Sequence, residues 1–168
     1  MTVIPEFSTL TPDASAAVLA RNHVGRLAFW NGKTVDIEPL GYVSDGDWLF
    51  MRSAPGTKLA VLAHYPYVAF EVDEIEGPFD WRSVVAHGTI YLLPADGAPI
   101  TQKQLRQAVE AIRSAMPAAF TPADPVPERQ IVYGLHIDRV DGRMAHSRPS
   151  RKPPVKKSGR IRKPRKRS

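Results

Sequence analysis

Residues 25–52, GRLAFWNGKTVDIEPLGYVSDGDWLFMR, consist of three apolar segments separated by two tight-turn signals. Asn31-Gly32 and Asp45-Gly46 are typical of two-residue hairpin turns, because the central positions of such turns require positive φ angles. The pattern therefore predicts an antiparallel meander. Pro39 lies in its second strand and has no backbone N–H, which indicates a sheet edge or a bulge at this position. The three predicted strands are residues 25–30, 35–43 and 48–52.

Outside the meander, the sequence predicts three helices and three further strands. Residues 8–22 form a helix with Thr11 as its N-cap. Residues 101–116 carry an apolar helical stripe, and Thr101 and Gln104 have the spacing of a capping box. The other elements are a short helix at 58–65 and strands at 67–72, 81–93 and 130–140. Six mostly antiparallel strands with few helices favour a mainly β protein, a small closed or partly open barrel with flanking helices.

Positive charge is concentrated at the C-terminal end of the chain. The net charge is +6, with 23 Lys and Arg against 17 Asp and Glu. Residues 148–168 hold 11 of the basic residues and no acidic one, which leaves 12 basic and 17 acidic residues in the first 147. A segment this polar cannot bury enough surface to offset its ordering entropy. We therefore expect a folded domain over residues 1–147 and a disordered basic tail over 148–168.

Two roles for the tail stay open at this point. Its charge suits nonspecific contact with a polyanion such as nucleic acid, or with an anionic membrane surface, through release of counterions. It contains no aromatic residue on which bases would stack, so such contact would not depend on base sequence. The alternative is a solubilising tail without a dedicated partner.

Composition excludes several classes of function. The chain has no cysteine, which rules out disulfide scaffolds, thiolate metal sites and cysteine nucleophiles. The five histidines show no metal-binding spacing, so we expect no metal site. No apolar segment is long enough to span a membrane, and the first residues lack the pattern of a secretory signal. We expect a cytoplasmic protein.

The segment Arg52-Ser53-Ala54-Pro55-Gly56-Thr57-Lys58 connects a predicted strand to a predicted helix. Lys58 stands in the first helical turn, where its charge is unfavourable beside the positive end of the helix dipole. A bound anion would reverse this effect, because free backbone N–H groups, Lys58 and Arg52 would converge on one phosphate. The alternative is an ordinary turn with an exposed lysine. The segment is not a Walker A loop, since Lys58 is followed by Leu59.

Five motifs follow one another in a recognisable order and spacing. They are Gly25-Arg26-Leu27-Ala28, Pro39-Leu40-Gly41-Tyr42-Val43, Arg52 to Leu59, Val68 to Asp73, and Trp81 to Val85 with His87-Gly88. Together they resemble the FMN-binding split-barrel proteins of the pyridoxamine 5′-phosphate oxidase-like superfamily, and most closely the nitroimidazole-resistance-type subgroup. The resemblance covers about residues 10–140.

The resemblance implies a set of cofactor-binding residues and a homodimer whose two sites lie between the protomers. Thr57 and Lys58 match a pair that grips the FMN phosphate, with Arg52 and Ser53 completing the pocket. The remaining residues are Glu38, Pro39 and Leu40, whose backbone would face the isoalloxazine ring, and Ser83 and Val84, which would touch flavin from across the dimer interface.

The resemblance also implies an FMN-dependent oxidoreductase that acts on an unidentified small molecule. No catalytic side chain can be named from the sequence. Related branches use the deazaflavin F420 or bind haem, and a flavin-binding module without turnover is a further alternative. The oxidase proper has substrate-binding residues on a C-terminal strand that have no match here, so we do not expect pyridoxamine phosphate as the substrate.

Overall fold

Eight strands form one curved antiparallel sheet in the computed structural model, which describes residues 3–149. The strands are β1 (Val3–Thr9), β2 (Val24–Trp30), β3 (Val35–Gly41), β4 (Val43–Asp45), β5 (Trp48–Ser53), β6 (Tyr67–Gly77), β7 (Asp80–Leu92) and β8 (Ile131–Pro149). The helices are α1 (Pro12–Arg21), α2 (Thr57–His64) and α3 (Pro99–Ala115). The mainly β fold with flanking helices is confirmed.

The predicted meander is present, but each turn is shifted by one residue, because Asn31 and Asp45 lack the expected positive φ and the central pairs are Gly32-Lys33 and Gly46-Asp47. Gly32 has a φ angle of 93° and Gly46 one of 58°, values that glycine adopts without a steric penalty. The Asn31 side-chain carbonyl accepts hydrogen bonds from the backbone N–H groups of Lys33 and Thr34, both at 2.9 Å. The first turn therefore fixes the β2–β3 register, in which Trp30 stands opposite Val35.

The number of strands differs from the predicted six in two places. The segment before Thr11 is partly strand β1, which pairs with the end of β8, so α1 begins at Pro12 rather than at residue 8. The second strand of the meander divides at Tyr42, whose N–H donates to the His23 carbonyl at 2.9 Å. Thr11 is the N-cap as predicted and accepts a hydrogen bond from the Ala14 N–H at 3.2 Å.

Two further predicted boundaries are wrong. Helix α3 begins at Pro99 with Ala98 at the N-cap, because proline suits the first helical position, and the Thr101–Gln104 capping box therefore does not form. Strand β8 runs to Pro149, since it pairs with β7 along one edge and with β5 and then β1 along the other. The predicted boundary of the tail at residue 148 is therefore wrong, since residues 148 and 149 pair with β1. Residues 150–168 lie outside the described part of the chain, so their expected disorder and the two possible roles of the tail stay predictions.

The sheet is an open barrel rather than a closed one. Its strand order is β3-β2-β6-β7-β8-β5-β4, with β1 attached to β8. Strand β3 is one edge of this order and the β4–β5 hairpin is the other, and the two edges meet without forming a ladder. Pro39 therefore lies on an edge strand, where no ladder hydrogen bond is lost. We call this opening the β3–β5 gap.

Side chains alternate between two apolar clusters on either side of β5. Leu49 and Met51 face the barrel interior, whereas Phe50 packs under α3 with Ile112. All three β5 side chains are at most 1% exposed. Burying one such side chain contributes about 1.5–3 kcal/mol, so β5 is held from both faces. Arg52 follows Phe50 by two residues and thus faces the α3 side of the strand.

Helix α1 is attached to the sheet through Glu74 on β6. Arg21 donates to both Glu74 carboxylate oxygens at 2.6 Å, and the Asn22 amide donates to one of them at 2.7 Å. The hydrogen bonds from Arg21 lower the pKa of Glu74 to about 2, while partial burial opposes this shift and Asn22 assists it. The ionised carboxylate is therefore the form that stabilises the folded state.

The depressed pKa predicts a pH-dependent contribution to stability. The contribution is complete above the ordinary glutamate pKa of 4.5 and is lost as the pH falls from 4.5 to about 2. We expect Glu74→Gln to be less stable than the parent at neutral pH and to lose less stability on acidification. Urea unfolding between pH 2.5 and 7 measures both effects. Glu76→Gln, at an exposed position of the same strand, is the control and is expected to follow the parent.

Candidate functional site

The start of α2 presents backbone donors at the surface. Gly56 is the N-cap and provides no side-chain acceptor for the first N–H groups of the helix. Its φ of 175° is ordinary extended backbone, and a Cβ at this position would meet nothing within 4 Å. The first turn of α2 contains no acidic residue. Uncapped N–H groups beside open space are suited to an anion.

Lys58 is paired with Glu38 in this structure. The Lys58 ammonium donates to Oε2 of Glu38 at 2.9 Å, which joins α2 to the edge strand β3 across the β3–β5 gap. The lysine side chain is 20% exposed and the glutamate side chain 43%. Two residues from separate parts of the predicted site are thus brought together. The carboxylate supplies the negative charge that the sequence argument assigned to a ligand, so the position of Lys58 alone is not evidence of a bound phosphate.

The Arg52 guanidinium is paired with a different carboxylate, that of Asp124. The guanidinium donates to both oxygens of Asp124 at 2.5 and 2.9 Å and lies over the Phe120 ring, with 5.0 Å from Cζ to the ring centroid. The Asp124 side chain is 1% exposed and that of Arg52 is 9% exposed. The hydrogen bonds from Arg52 lower the pKa of Asp124 well below its usual range. Arg52 is therefore paired with Asp124 in this structure, and its predicted contact with a phosphate stays a prediction.

We call residues 52–58 together with the facing β3 residues 38–40 the Lys58 corner. Its other predicted residues lie near the surface. Thr57 is exposed at the first position of α2, and Ser53 at the end of β5 is half-buried with its hydroxyl donating to the Ala54 carbonyl at 2.9 Å. Pro39 is exposed on the β3 edge, and Leu40 packs against the barrel core. These placements leave the outer edge of β3 accessible.

Ser83 and Val84 on β7 face opposite sides of the sheet. The Ser83 hydroxyl donates to Glu71 at 2.9 Å. Val84 is 0% exposed and stands opposite Val72 in the barrel interior. A side chain buried there cannot reach a ligand held by a second subunit. A contact with flavin at this strand position would therefore involve Ser83 or the backbone of Val84, and it stays a prediction.

Sequence reasoning missed a buried tyrosine behind the corner. Tyr133 on β8 stands opposite Met51 of β5 and is 0% exposed, and its hydroxyl has no hydrogen-bond partner among the described residues. Burial raises the pKa of this hydroxyl, and the negative charge of Glu38 raises it further. Buried tyrosine hydroxyls ordinarily have a hydrogen-bond partner. The Tyr133 hydroxyl is therefore a buried polar group that is close enough to Glu38 for the carboxylate charge to affect it. The alternation of apolar residues along β8 does not indicate that this hydroxyl is unpaired.

The outer face of β2 and β3 exposes a row of large apolar side chains. Ala28 and Trp30 stand opposite Ile37 and Val35, so the four side chains share one face. Ile37 is 66% exposed. The same face carries an ion-pair cluster in which Arg26 contacts Glu71 and Asp73, each at 3.1 Å. An apolar surface of this kind beside charged groups is typical of a protein interface.

Two negative findings apply to residues 3–149. No helix there is long and apolar enough to cross a membrane. No three His, Asp or Glu side chains of this part of the chain are grouped so as to hold a metal ion.

Comparison with known proteins gives consistent matches. Residues 11–144 match the sequence profile of a family described as pyridoxamine 5′-phosphate oxidase. An uncharacterised protein of Rhizobium meliloti is 28% identical over an alignment of 138 positions, which covers 76% of this chain and 88% of that protein. The crystal structure of an FAD-binding protein from Mesorhizobium loti is 29% identical with a TM-score of 0.64, covering 82% of this chain and 96% of that one.

A candidate 5-nitroimidazole antibiotic resistance protein from Bacteroides thetaiotaomicron also shares the fold. Its TM-score is 0.64 at 12% identity, and the match covers 88% of this chain and 93% of that one. At this identity the likeness concerns the fold alone. Together the matches confirm the resemblance drawn from the sequence motifs.

The buried Arg52–Asp124 pair generates a stability prediction. Removing one partner leaves the other charge buried without compensation, whereas replacing both by uncharged groups of similar size removes both charges. We expect Asp124→Ala to lower the melting temperature by several degrees and the double variant Arg52→Met, Asp124→Asn, which keeps an acceptor for the Phe120 and Val126 N–H groups, to lower it less. Thermal unfolding at neutral pH tests this order. Asp138→Ala, at an exposed position, is the control, and a melting temperature equal to that of Asp124→Ala would contradict the assignment.

Proposed function

The chain belongs to the pyridoxamine 5′-phosphate oxidase family, and from that membership together with the Lys58 corner we propose that it binds the flavin nucleotide FMN and acts as an oxidoreductase on a small molecule. The observation that carries the proposal is the uncapped start of α2, where Gly56 lies beside open space and Lys58 stands in the first turn. The FAD-binding relative from Mesorhizobium loti supports a flavin as the ligand class.

The residues of the corner fit a flavin phosphate. The first N–H groups of α2, the Lys58 ammonium and the hydroxyls of Thr57 and Ser53 would hold it, as helix N-termini commonly hold phosphate groups. The accessible edge of β3 at residues 38–40 offers backbone groups to the polar rim of the ring system. A bound flavin would supply the redox chemistry, and the protein would supply binding, orientation and electrostatics.

Glu38 has a defined part in this proposal, because its carboxylate and a phosphate compete for Lys58. An ion pair this exposed contributes roughly 0–1 kcal/mol, whereas a charge-assisted hydrogen bond in a partly enclosed site contributes about 1.5–3 kcal/mol. Phosphate therefore displaces Glu38, and the displacement reduces the net binding energy. Arg52 contributes only indirectly, by holding Asp124 and the loop around it.

Substitutions at Lys58 and Glu38 should change FMN binding in opposite directions. We expect Lys58→Ala to weaken FMN binding about ten- to hundredfold and to weaken riboflavin, which has no phosphate, much less. We expect Glu38→Gln to strengthen FMN binding and to leave riboflavin nearly unchanged. Quenching of flavin fluorescence measures all four affinities. Lys103→Ala, at an exposed position on α3, is the matched control.

Equal losses for FMN and riboflavin in Lys58→Ala would show that Lys58 supports the fold or the ring pocket instead. Absorbance and mass spectra of the cofactor released from purified protein separate FMN from FAD, F420 and haem. Reoxidation kinetics with candidate acceptors separate an oxidoreductase from a flavin-binding module without turnover, which is the alternative function.

We further propose that the outer face of β2 and β3 forms a homodimer interface that completes the flavin site. The exposed row of Val35, Ile37 and Trp30 would be covered by the second protomer, and β3 would bring residues 38–40 to the interface. The Arg26 cluster beside it would set the register between the protomers, as interfacial charges often do.

An acidic substitution in this row should break the dimer and weaken flavin binding together. We expect the parent to be dimeric at micromolar concentration in sedimentation experiments and Ile37→Asp to be shifted towards monomer, with lower FMN affinity. Ile100→Asp is the control, because Ile100 is 62% exposed on α3 and away from this face. A monomeric parent that binds FMN at full affinity would disprove the shared site.

A further inference from the structure

A second feature of the molecule is a cavity of about 310 Å³ at the end of the β3–β5 gap. It lies between β5, the end of α3 and the loop that follows α3. Its volume is at the lower end of the range for small-molecule pockets, about 300–1,000 Å³. The apolar part of its lining consists of Tyr42, Phe50, Met51, Ile112, Met116 and Val126.

The loop that forms one wall is held by a buried ion pair and contains a residue in the left-handed conformation. The buried Arg52–Asp124 pair ties the loop to β5, and the Asp124 carboxylate also accepts the N–H groups of Phe120 at 2.8 Å and Val126 at 3.0 Å. Phe120 has a φ angle of 60°, a left-handed conformation that is uncommon for a bulky residue. A buried ion pair is weak support for stability, and backbone strain concentrates at functional sites. Both observations point to a preformed pocket.

The charges around the cavity have one sign. Its lining contains the two arginines Arg52 and Arg129 and no Asp or Glu. The Arg52 charge is neutralised by Asp124. The Arg129 side chain is 50% exposed and lies 4.0 Å from the Glu128 carboxylate. The cavity thus combines an apolar interior with a cationic rim. Such a combination is complementary to a molecule with an apolar body and one anionic group.

We propose that this cavity is a binding site for a small apolar carboxylate. The carboxylate would bind Arg129 at the rim, and the apolar body would lie between Met116 and the edge of β5 at Met51, whose side chain faces the barrel interior. Of the residues predicted to bind flavin, only Arg52 lines the cavity. The inference therefore stands independently of the proposed flavin site.

Methionine methyl resonances provide a direct test. The chain has four methionines, of which Met51 and Met116 line the cavity while Met144 on β8 does not. In the full-length protein carrying ¹³C-methyl methionine, we expect naphthalene-2-carboxylate to shift the Met51 and Met116 signals and to leave Met144 unchanged. We expect the uncharged naphthalene-2-carboxamide to bind about tenfold more weakly, because it lacks the charge-assisted contact.

Matched variants separate the charge from the cavity. Arg129→Gln should weaken the carboxylate about tenfold and change the carboxamide little, whereas Arg106→Gln, at an exposed position on α3, should change neither. Ala115→Phe should abolish binding of both probes by filling the mouth of the cavity. Ala115 is exposed, so the larger side chain requires no rearrangement of the core. Ser114→Phe, one residue earlier on α3, should retain both.

Three outcomes would overturn the proposal. The first is no shift of Met51 and Met116 at millimolar naphthalene-2-carboxylate. The second is equal affinity for the two probes, or an Arg129→Gln variant that binds like the parent, since either result would remove the anionic specificity. The third is displacement of the carboxylate by FMN with the same two methionine signals shifted, which would make the cavity part of the flavin site. Failure of FMN to bind at all would leave this test unaffected.

Discussion

The sheet does not close between β3 and β5, and the side chains that could bind a ligand lie along that opening. Because the chain leaves β3 at Tyr42 and enters β4 on the opposite edge, neither edge forms a ladder with the other. Lys58 and Glu38 bridge the gap, the Tyr133 hydroxyl is buried behind it, and the apolar cavity lies at its end. A closed barrel would have satisfied these backbone edges internally and left no such site.

Exposure decides which of the cationic side chains can exchange partners. Arg52 and Asp124 are both nearly inaccessible, and separating them would leave two buried charges without compensation. The carboxylate partner of Lys58 is 43% exposed, so water can solvate it once the pair opens. The sequence predicted an anion beside both cations, but the exposure of that anion differs between Arg52 and Lys58. Arg52 has a permanent structural partner, and Lys58 has a replaceable one.

The parts of the structure that sequence could predict are those determined by local signals. Gly32 and Gly46 fix the meander through their own backbone preferences, and Thr11 caps α1 within one turn. Strand β1 and Asp124 depend on partners far along the chain, which no local pattern reveals. For the same reason Lys58 and Glu38 were both expected in the site from a resemblance, but their direct contact was not.

The two proposed sites differ in what each needs to be complete. The cavity under α3 has its walls, its ion pair and its cationic rim within one chain. The Lys58 corner is open on the side of the exposed β3 edge, next to the apolar row of Val35 and Ile37. If a second protomer covers that row, the free energy of association becomes linked to flavin affinity, whereas ligand binding in the cavity is independent of it. Association would then control one site and leave the other accessible in the monomer.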